Sequence, residues 1–411
     1  MELDRIFKYV DSKKEEIVNI LCNLLAFDTS VPPGKNYPEI CSYIADELSP
    51  LGFMPQEVEV SKEKLVDIPF KLEGRRINLV AKGPYKARPM SVYAHTDVVP
   101  AQSGWSHPPF KGTIAKDRVI GRGTIDMKGS IASFIFACKI MKKHGLEPFF
   151  NPIGLFCTDE EIGVYPGVYE LAKRGLIEGP LLWLEGGGQW PYLLTASLGS
   201  AEIHIQINGK SSHVAMPFIG NNAVEKAIPI LNALLEQKAK VEKKSSNIPM
   251  IFFPDQKLKP IFSITVISGG TKANIIPDKC NIIVDRRFIS EETIKDIKED
   301  IEKLLEGFNG LDFDCFHFYD PVKIDWNSPF HKKKIKALCA IHGLHQNLFV
   351  SGGMGGSTDM SFVKKVIPDI PIIGMGVMSP RSLGAHMIDE SVHIDDLTGL
   401  CKEILYMFVA Q

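Results

Sequence analysis

Apolar positions recur at helical spacing from the start of the chain. Ile6, Val10, Ile17, Ile20, Leu21, Leu24 and Leu25 predict one amphipathic helix over 2–27. A Pro/Gly break at 29–34 precedes a second helical stretch, 37–51, that stops at Gly52. Strand-like runs at 77–81 and 90–94 follow, then a helical run over 128–143. The continuous apolar run 152–157 suits a strand buried on both faces. A helix over 167–174 and another apolar run, 180–184, extend the alternation of strand and helix. That alternation predicts an α/β domain with a largely parallel sheet.

The pattern changes at Gly199. Ile203, Ile205 and Ile207 alternate with Glu202, His204, Gln206 and Asn208, so a strand over 201–208 has one wet face. A helix over 222–243, strands over 262–268 and 280–288, a helix over 291–308 and a strand over 312–318 follow. The second helix turns Ile294, Ile297, Ile301, Leu304 and Leu305 inward, with Ser290 as the expected N-cap. The order is β-α-β-β-α-β, a split βαβ sandwich. Beyond Pro321 the α/β pattern resumes. It runs through a helix near 329–342, a glycine-rich stretch 351–357, a strand over 370–377, Leu383-Gly384-Ala385-His386 and a closing helix from Asp395. The expected architecture is therefore α/β: a discontinuous domain of residues 1–198 and 319–411, interrupted by an inserted α+β (βαββαβ) domain of residues 199–318.

Composition narrows the function classes. A net charge of −2 gives no basic surface for nucleic acid. The run His331–Lys336 reads as a solvated helix face. The first residues, MELDRIFKYVDSKKEE, are charged throughout and lack a signal peptide's apolar core, and no apolar window reaches the ~18 residues of a membrane span. The 8 cysteines contain no Cys-x-x-Cys pair, and Cys138 and Cys157 sit inside apolar runs. They read as buried small hydrophobes in a reducing compartment, with the cytoplasm as the expectation. Gly209-Lys210-Ser211 ends like a phosphate loop, but His204 stands where the motif requires glycine.

The chemistry gathers where apolar strands run out. His95-Thr96-Asp97 follows one strand, Glu160 and Glu161 a second, Glu185 a third, and His386 comes shortly after a fourth. Sites in open α/β sheets collect at such carboxyl ends. A glycine-punctuated turn, Gly121-Arg122-Gly123, adds Asp126 just ahead of a helix. Imidazole nitrogen and carboxylate oxygen are ligands for zinc-type ions, and a ligating histidine wants its second nitrogen tied down, which Asp97 can do. Clustered carboxylates also need cations. The charge of two divalent ions is balanced by Asp126, Glu161, Glu185 and a bridging hydroxide. This favours a dinuclear site with Asp126 as the bridge, each metal being closed by one histidine and one glutamate. Neighbours in extended chain point opposite ways, so of Glu160 and Glu161 one can bind metal while the other stands over the bridging water as a general base.

The segments AHTDVVP, GRGTIDMKG, TDEEIG, the Glu185 strand end and GAHMIDES resemble the zinc-dependent acetylornithine deacetylase / succinyl-diaminopimelate desuccinylase / aminoacylase-1 / carboxypeptidase G family. The likeness spans nearly the whole chain. It implies His95, Asp126 (bridging), Glu161, Glu185 and His386 as ligands of two divalent metals, zinc first, with cobalt or manganese as substitutes. It also implies Glu160 as the base and Asp97 as the support behind His95. In the inserted domain, SSHVAMPFIGNNA is similar to the family's histidine loop. That likeness implies that His213 stabilises an oxyanion, in the partner subunit's site. GGTKANIIP and DRRF imply substrate contacts through Asn274 and Arg287, the latter to a carboxylate, and Ser351–Asp359, with Gly356, resembles the loop lining the substrate pocket.

The chain departs from several members in having Glu185-Gly186-Gly187 where they have Glu-Pro-Thr, and from many in having Met387-Ile388 where they follow the last histidine with Thr-Pro or Ser-Pro. The implied function is metal-dependent hydrolysis of an N-acyl amino acid. A carboxypeptidase or dipeptidase with the same mechanism is one alternative, and a catalytically silent peptide- or metabolite-binding relative is another. The implied assembly is a homodimer joined through the inserted lid, paired at an edge near His213, with no nucleic-acid or membrane partner.

Overall fold

The computed structural model describes residues 2–66, 68, 71–251, 253–382 and 384–410, so Leu383 of the His386 segment lies outside the described residues. The chain divides into two compact units. The first comprises Met1–Leu194, Ile324–Ser351 and Phe362–Gln411, and the second Thr195–Lys323 and Gly352–Ser361. The glycine-rich stretch after Ser351 thus groups with the inserted segment and not with the flanking sequence.

The first unit is built on a six-stranded sheet. Its order is Met54–Glu59, Ile77–Lys82, Phe150–Cys157, Arg88–His95, Leu181–Trp183 and Ile372–Gly374. The last four run parallel, and the first two are antiparallel additions at one side. Both faces are covered, which is why Phe150–Cys157 is apolar almost without interruption. The helix Lys128–Lys143 is buried nearly all round, and the Phe134 ring meets Phe53 edge-on and Phe156 at a tilt, at ring distances of 6.5 and 6.0 Å. With Lys14–Leu25 and Ile394–Val409 it forms the main core.

Two sequence expectations change here. The opening helix is two, Glu2–Asp11 and Lys14–Leu25. The apolar stripe continues across the break, but the Ser12 hydroxyl and N–H both bond the Tyr9 carbonyl and close the first helix. The lysine run is not a solvated face, because in the helix Pro329–His342 residues His331, Lys334, Ala337 and Leu338 form one buried stripe. Only Lys332 and Lys336 of that run are exposed. Burial pulls the Lys334 ammonium down to about 8, partly offset by Glu403, and pulls His331 down to about 4.

The second unit carries an antiparallel sheet in the order Ile261–Gly269, Lys279–Phe288, Gly199–Asn208 and Leu311–Tyr319. The inward residues of the alternating strand, Ile203, Ile205 and Ile207, meet Ala227, Ile230 and Leu234 of the helix Ala223–Val241 and Ile297 and Ile301 of the helix Ile294–Leu305. The N-cap of the latter is Thr293, which closes a capping box with Asp296, and not Ser290. The turn before it is held by Glu292, which pairs with Arg286 at 2.6 Å. Among the described residues, no helix is long and apolar enough to cross a membrane.

Candidate metal centre

Parallel pairing of Arg88–His95 with Phe150–Cys157 and Leu181–Trp183 makes three strands end at one edge. His95 is the last residue of its strand, and Glu160, Glu161 and Glu185 follow the other two within a few residues. Asp126 sits just before the helix Lys128–Lys143, and His386 occupies a turn with φ +63°.

Within the first unit these residues converge. His95 Nε2 lies 3.0 Å from Asp126 Oδ1, and His386 Nε2 lies 3.1 Å from Asp126 Oδ2 and 3.1 Å from Glu161 Oε2. The side chains form two three-residue groups that share Asp126. One is His95, Asp126 and Glu185, the other Asp126, Glu161 and His386, with the ligand atoms of each within 4.8 Å of one another. Trp183 Nε1 donates to Glu185 Oε2 at 3.2 Å and fixes that carboxylate.

The electrostatics match this donor set. Burial opposes ionisation of Asp126, yet hydrogen bonds from His386 and His95 hold its carboxyl well below the usual range. Burial likewise disfavours a charged His95, but Asp126, Asp97 and Glu160 together raise it well above the ordinary imidazole value. Hydrogen bonds to Asp126 and Glu161 push His386 up to about 10. The cluster draws positive charge to a partly buried place, and nitrogen and carboxylate donors in two triads fit a pair of divalent cations.

Two local details differ from the sequence reading. Asp97 meets His95 Nδ1 with its backbone carbonyl, at 3.0 Å, while its Oδ1 stands 3.7 Å away. Its Oδ2 is engaged by the Glu161 N–H at 3.0 Å, which turns the carboxylate from the imidazole toward the next ligand loop. Glu160 and Glu161 are also not in extended chain. They belong to a tight turn, Glu160–Ile162, entered through Asp159 at φ +62°. A left-handed aspartate is uncommon, and this one is braced by Tyr37 Oη at 3.0 Å and Arg76 Nε at 3.1 Å. Burial pushes the Asp159 carboxyl up to about 7 against the pull of Arg76. No sequence signal marks Tyr37 or Arg76.

The Glu-Gly-Gly departure has a steric cause. A Cβ on Gly186 would lie 1.9 Å from the Trp183 ring, and one on Gly187 would lie 3.0 Å from Lys334 Nζ. The indole that holds Glu185 therefore excludes any side chain at the next position.

His213, Asn274, Arg287 and Gly356 belong to the second unit. Ser212–His213 pairs with Ile275–Ile276, and the Val214 N–H reaches the Asn274 carbonyl at 3.2 Å. The edge beside His213 is thus occupied by the chain itself. The outer strand Ile261–Gly269 pairs on one side only among the described residues. Arg287 is held by Asp285 through Nε and Nη2, both at 2.9 Å, and by Ser357 Oγ at 3.2 Å. Gly356 accepts from the Leu198 N–H at 3.0 Å.

The sequence profile of peptidase family M20/M25/M40 matches residues 91–409. A succinyl-diaminopimelate desuccinylase of Hahella chejuensis is 30% identical over 369 residues, covering 86% of this chain and 90% of that protein. Among solved structures, a dipeptidase of Saccharomyces cerevisiae aligns with a TM-score of 0.77 at 17% identity, over 98% of this chain and 97% of that one. An M20 family metallo-carboxypeptidase of Sulfolobus solfataricus aligns at 0.76 and 20%, over 95% and 98%.

Proposed function

The chain belongs to peptidase family M20/M25/M40, metal-dependent hydrolases of amide bonds, and from that premise we propose that it is a dinuclear zinc deacylase of N-acyl amino acids. The observation that carries the reading is the pair of donor triads joined at Asp126. Zinc suits their nitrogen and oxygen donors, with cobalt or manganese as workable substitutes. His95, Asp126 and Glu185 would hold one ion, and Asp126, Glu161 and His386 the other. Bound there, the ions supply Lewis acidity and make a water acidic enough to ionise near neutral pH. Glu160, next to Glu161, would take a proton from the water that attacks the scissile carbonyl and return it to the leaving amine. Asp97 supports the His95 and Glu161 loops. His213 is assigned the developing oxyanion, Asn274 and Gly356 substrate contacts, and Arg287 the substrate's α-carboxylate.

Asp285 leaves the Arg287 guanidinium oriented, with N–H groups on Nη1 and Nη2 still to offer. Succinyl is the first acyl group to test, because the relatives carry desuccinylase names. A panel of N-acetyl, N-succinyl and dipeptide substrates, each with free and amidated carboxylate, is expected to give turnover of acyl amino acids. Amidation is expected to cost roughly 3 kcal/mol of recognition. Preference for dipeptides would make the protein a peptidase. Equal turnover of free and amidated forms would remove Arg287 from this role, and no turnover with metal loaded would mean a silent binding relative.

The assembly follows the same reading: a homodimer through the second units, in the cytoplasm, where the eight free thiols suit a reducing medium. Support comes from the open strand Ile261–Gly269, whose Ile267 is 57% exposed, beside a helix with Ile228 and Leu235 exposed at 55% and 53%. Such an edge invites a two-fold mate. Light scattering is expected to give a dimer. Mixed Glu160→Gln and His213→Ala subunits should recover activity if the histidine acts across the two-fold. Mixtures that stay dead, or a fully active monomer, would place His213 in its own subunit's site or in none.

A further inference from the structure

Glu390 lies four residues beyond His386 and belongs to neither triad that shares Asp126, yet it is 1% exposed and holds several backbone N–H groups of the Asp126 turn. Its Oε1 accepts the N–H groups of Ile125 and Asp126, at 2.8 and 3.2 Å. Its Oε2 accepts the Gly123 N–H at 3.1 Å and Arg122 Nη1 at 2.7 Å. The Glu390 carbonyl accepts the Gly121 N–H at 2.9 Å. Arg122, itself 1% exposed and stacked on Trp105 at 5.2 Å, makes a longer contact of 3.4 Å from Nη2 to the His386 carbonyl. Immediately after Glu390, Ser391–His393 pairs with Arg118–Ile120, the strand that leads into the Asp126 turn.

The turn 121–126 lies in neither helix nor strand, so its N–H groups need partners from elsewhere, and a buried carboxylate supplies them with charge-assisted bonds. We propose that Glu390, through Arg122, is a positioning residue that locks Asp126 to His386 and so sets the geometry of the Asp126–Glu161–His386 cation site. The inference rests on the dinuclear reading and goes beyond it, because it predicts which of the two sites depends on this clamp. The other site shares Asp126 with the clamp, but its His95 and Glu185 stand at or just past strand ends that Glu390 does not touch. Both Asp126 and His386 of the first site are tied to the Glu390–Arg122 pair, so the His95–Asp126–Glu185 site should respond much less.

The test is titration of the chelator-treated protein with Zn²⁺ alone, followed by calorimetry, alongside the visible spectrum of the Co²⁺ form. Wild-type protein should bind two equivalents. Glu390→Gln turns an accepting oxygen into a donor facing backbone N–H groups, and should weaken one equivalent by about 10–100-fold, the usual effect of removing a group that orients ligands. The other equivalent should stay near its wild-type affinity. Arg122→Lys keeps the charge while losing the reach to His386, and should weaken the same equivalent. It also serves if Glu390→Gln fails to fold. Two variants that melt earlier but bind both ions as wild type does would make the clamp purely structural and overturn the proposal. Equal weakening of both sites would overturn it too. Wild-type protein that binds no ion would sink the dinuclear reading itself, a result distinct from either.

Discussion

Glu160→Gln is expected to bind its full complement of metal and to lose turnover by roughly 10²–10⁴-fold, the usual worth of a positioned general base. The amide keeps the shape of the side chain in the Glu160–Ile162 turn but cannot accept a proton. Glu161, whose carboxylate lies 3.1 Å from His386, is untouched, so the donor triads remain intact. Metal content and steady-state rate, measured on the same sample, check the outcome. A variant that loses metal while keeping its rate per bound ion would mean that the two glutamates have exchanged roles.

Asp126→Ala is expected to abolish both cation sites at once, because Asp126 is the only residue common to the two triads. Turnover should fall by more than about 10²-fold, beyond the range seen when only a supporting group is removed. Removing the ion with a chelator should reproduce the loss, and added zinc should reverse it in wild type but not in the variant. His95 and His386 would also lose the carboxylate that favours their charged forms. If Asp126→Ala retained two ions and wild-type turnover, the shared-carboxylate geometry would have no part in catalysis.

The residues that converge on Asp126 were marked in the sequence by different signals. His95, Glu161 and Glu185 each come at or just past the end of an apolar strand, whereas Asp126 follows a glycine-punctuated turn ahead of a helix and His386 lies in a turn farther from its strand. The lid order was legible too: the alternation at Ile203, Ile205 and Ile207 reports one buried face. What stayed hidden depends on partners remote in the chain or on chemistry that local pattern does not encode. Arg122 and Glu390 stand 268 residues apart, and the four other hydrogen bonds that Glu390 accepts all come from backbone N–H groups. Lys334 looked solvated because its neighbours are lysines, whereas helical phase alone decides that it points inward. The left-handed Asp159 turned an expected extended Glu160–Glu161 pair into a tight turn, and Tyr37 and Arg76, which brace it, carry no motif. The break at Ser12 was masked by an apolar stripe that runs on through it.

The dinuclear centre itself is tested most directly by anomalous scattering from crystals grown or soaked with zinc. Two peaks are expected, about 3.5–4 Å apart, with the Asp126 carboxylate between them. Anomalous density that appears elsewhere and nowhere near Asp126 would contradict the dinuclear centre and the catalytic roles built on it.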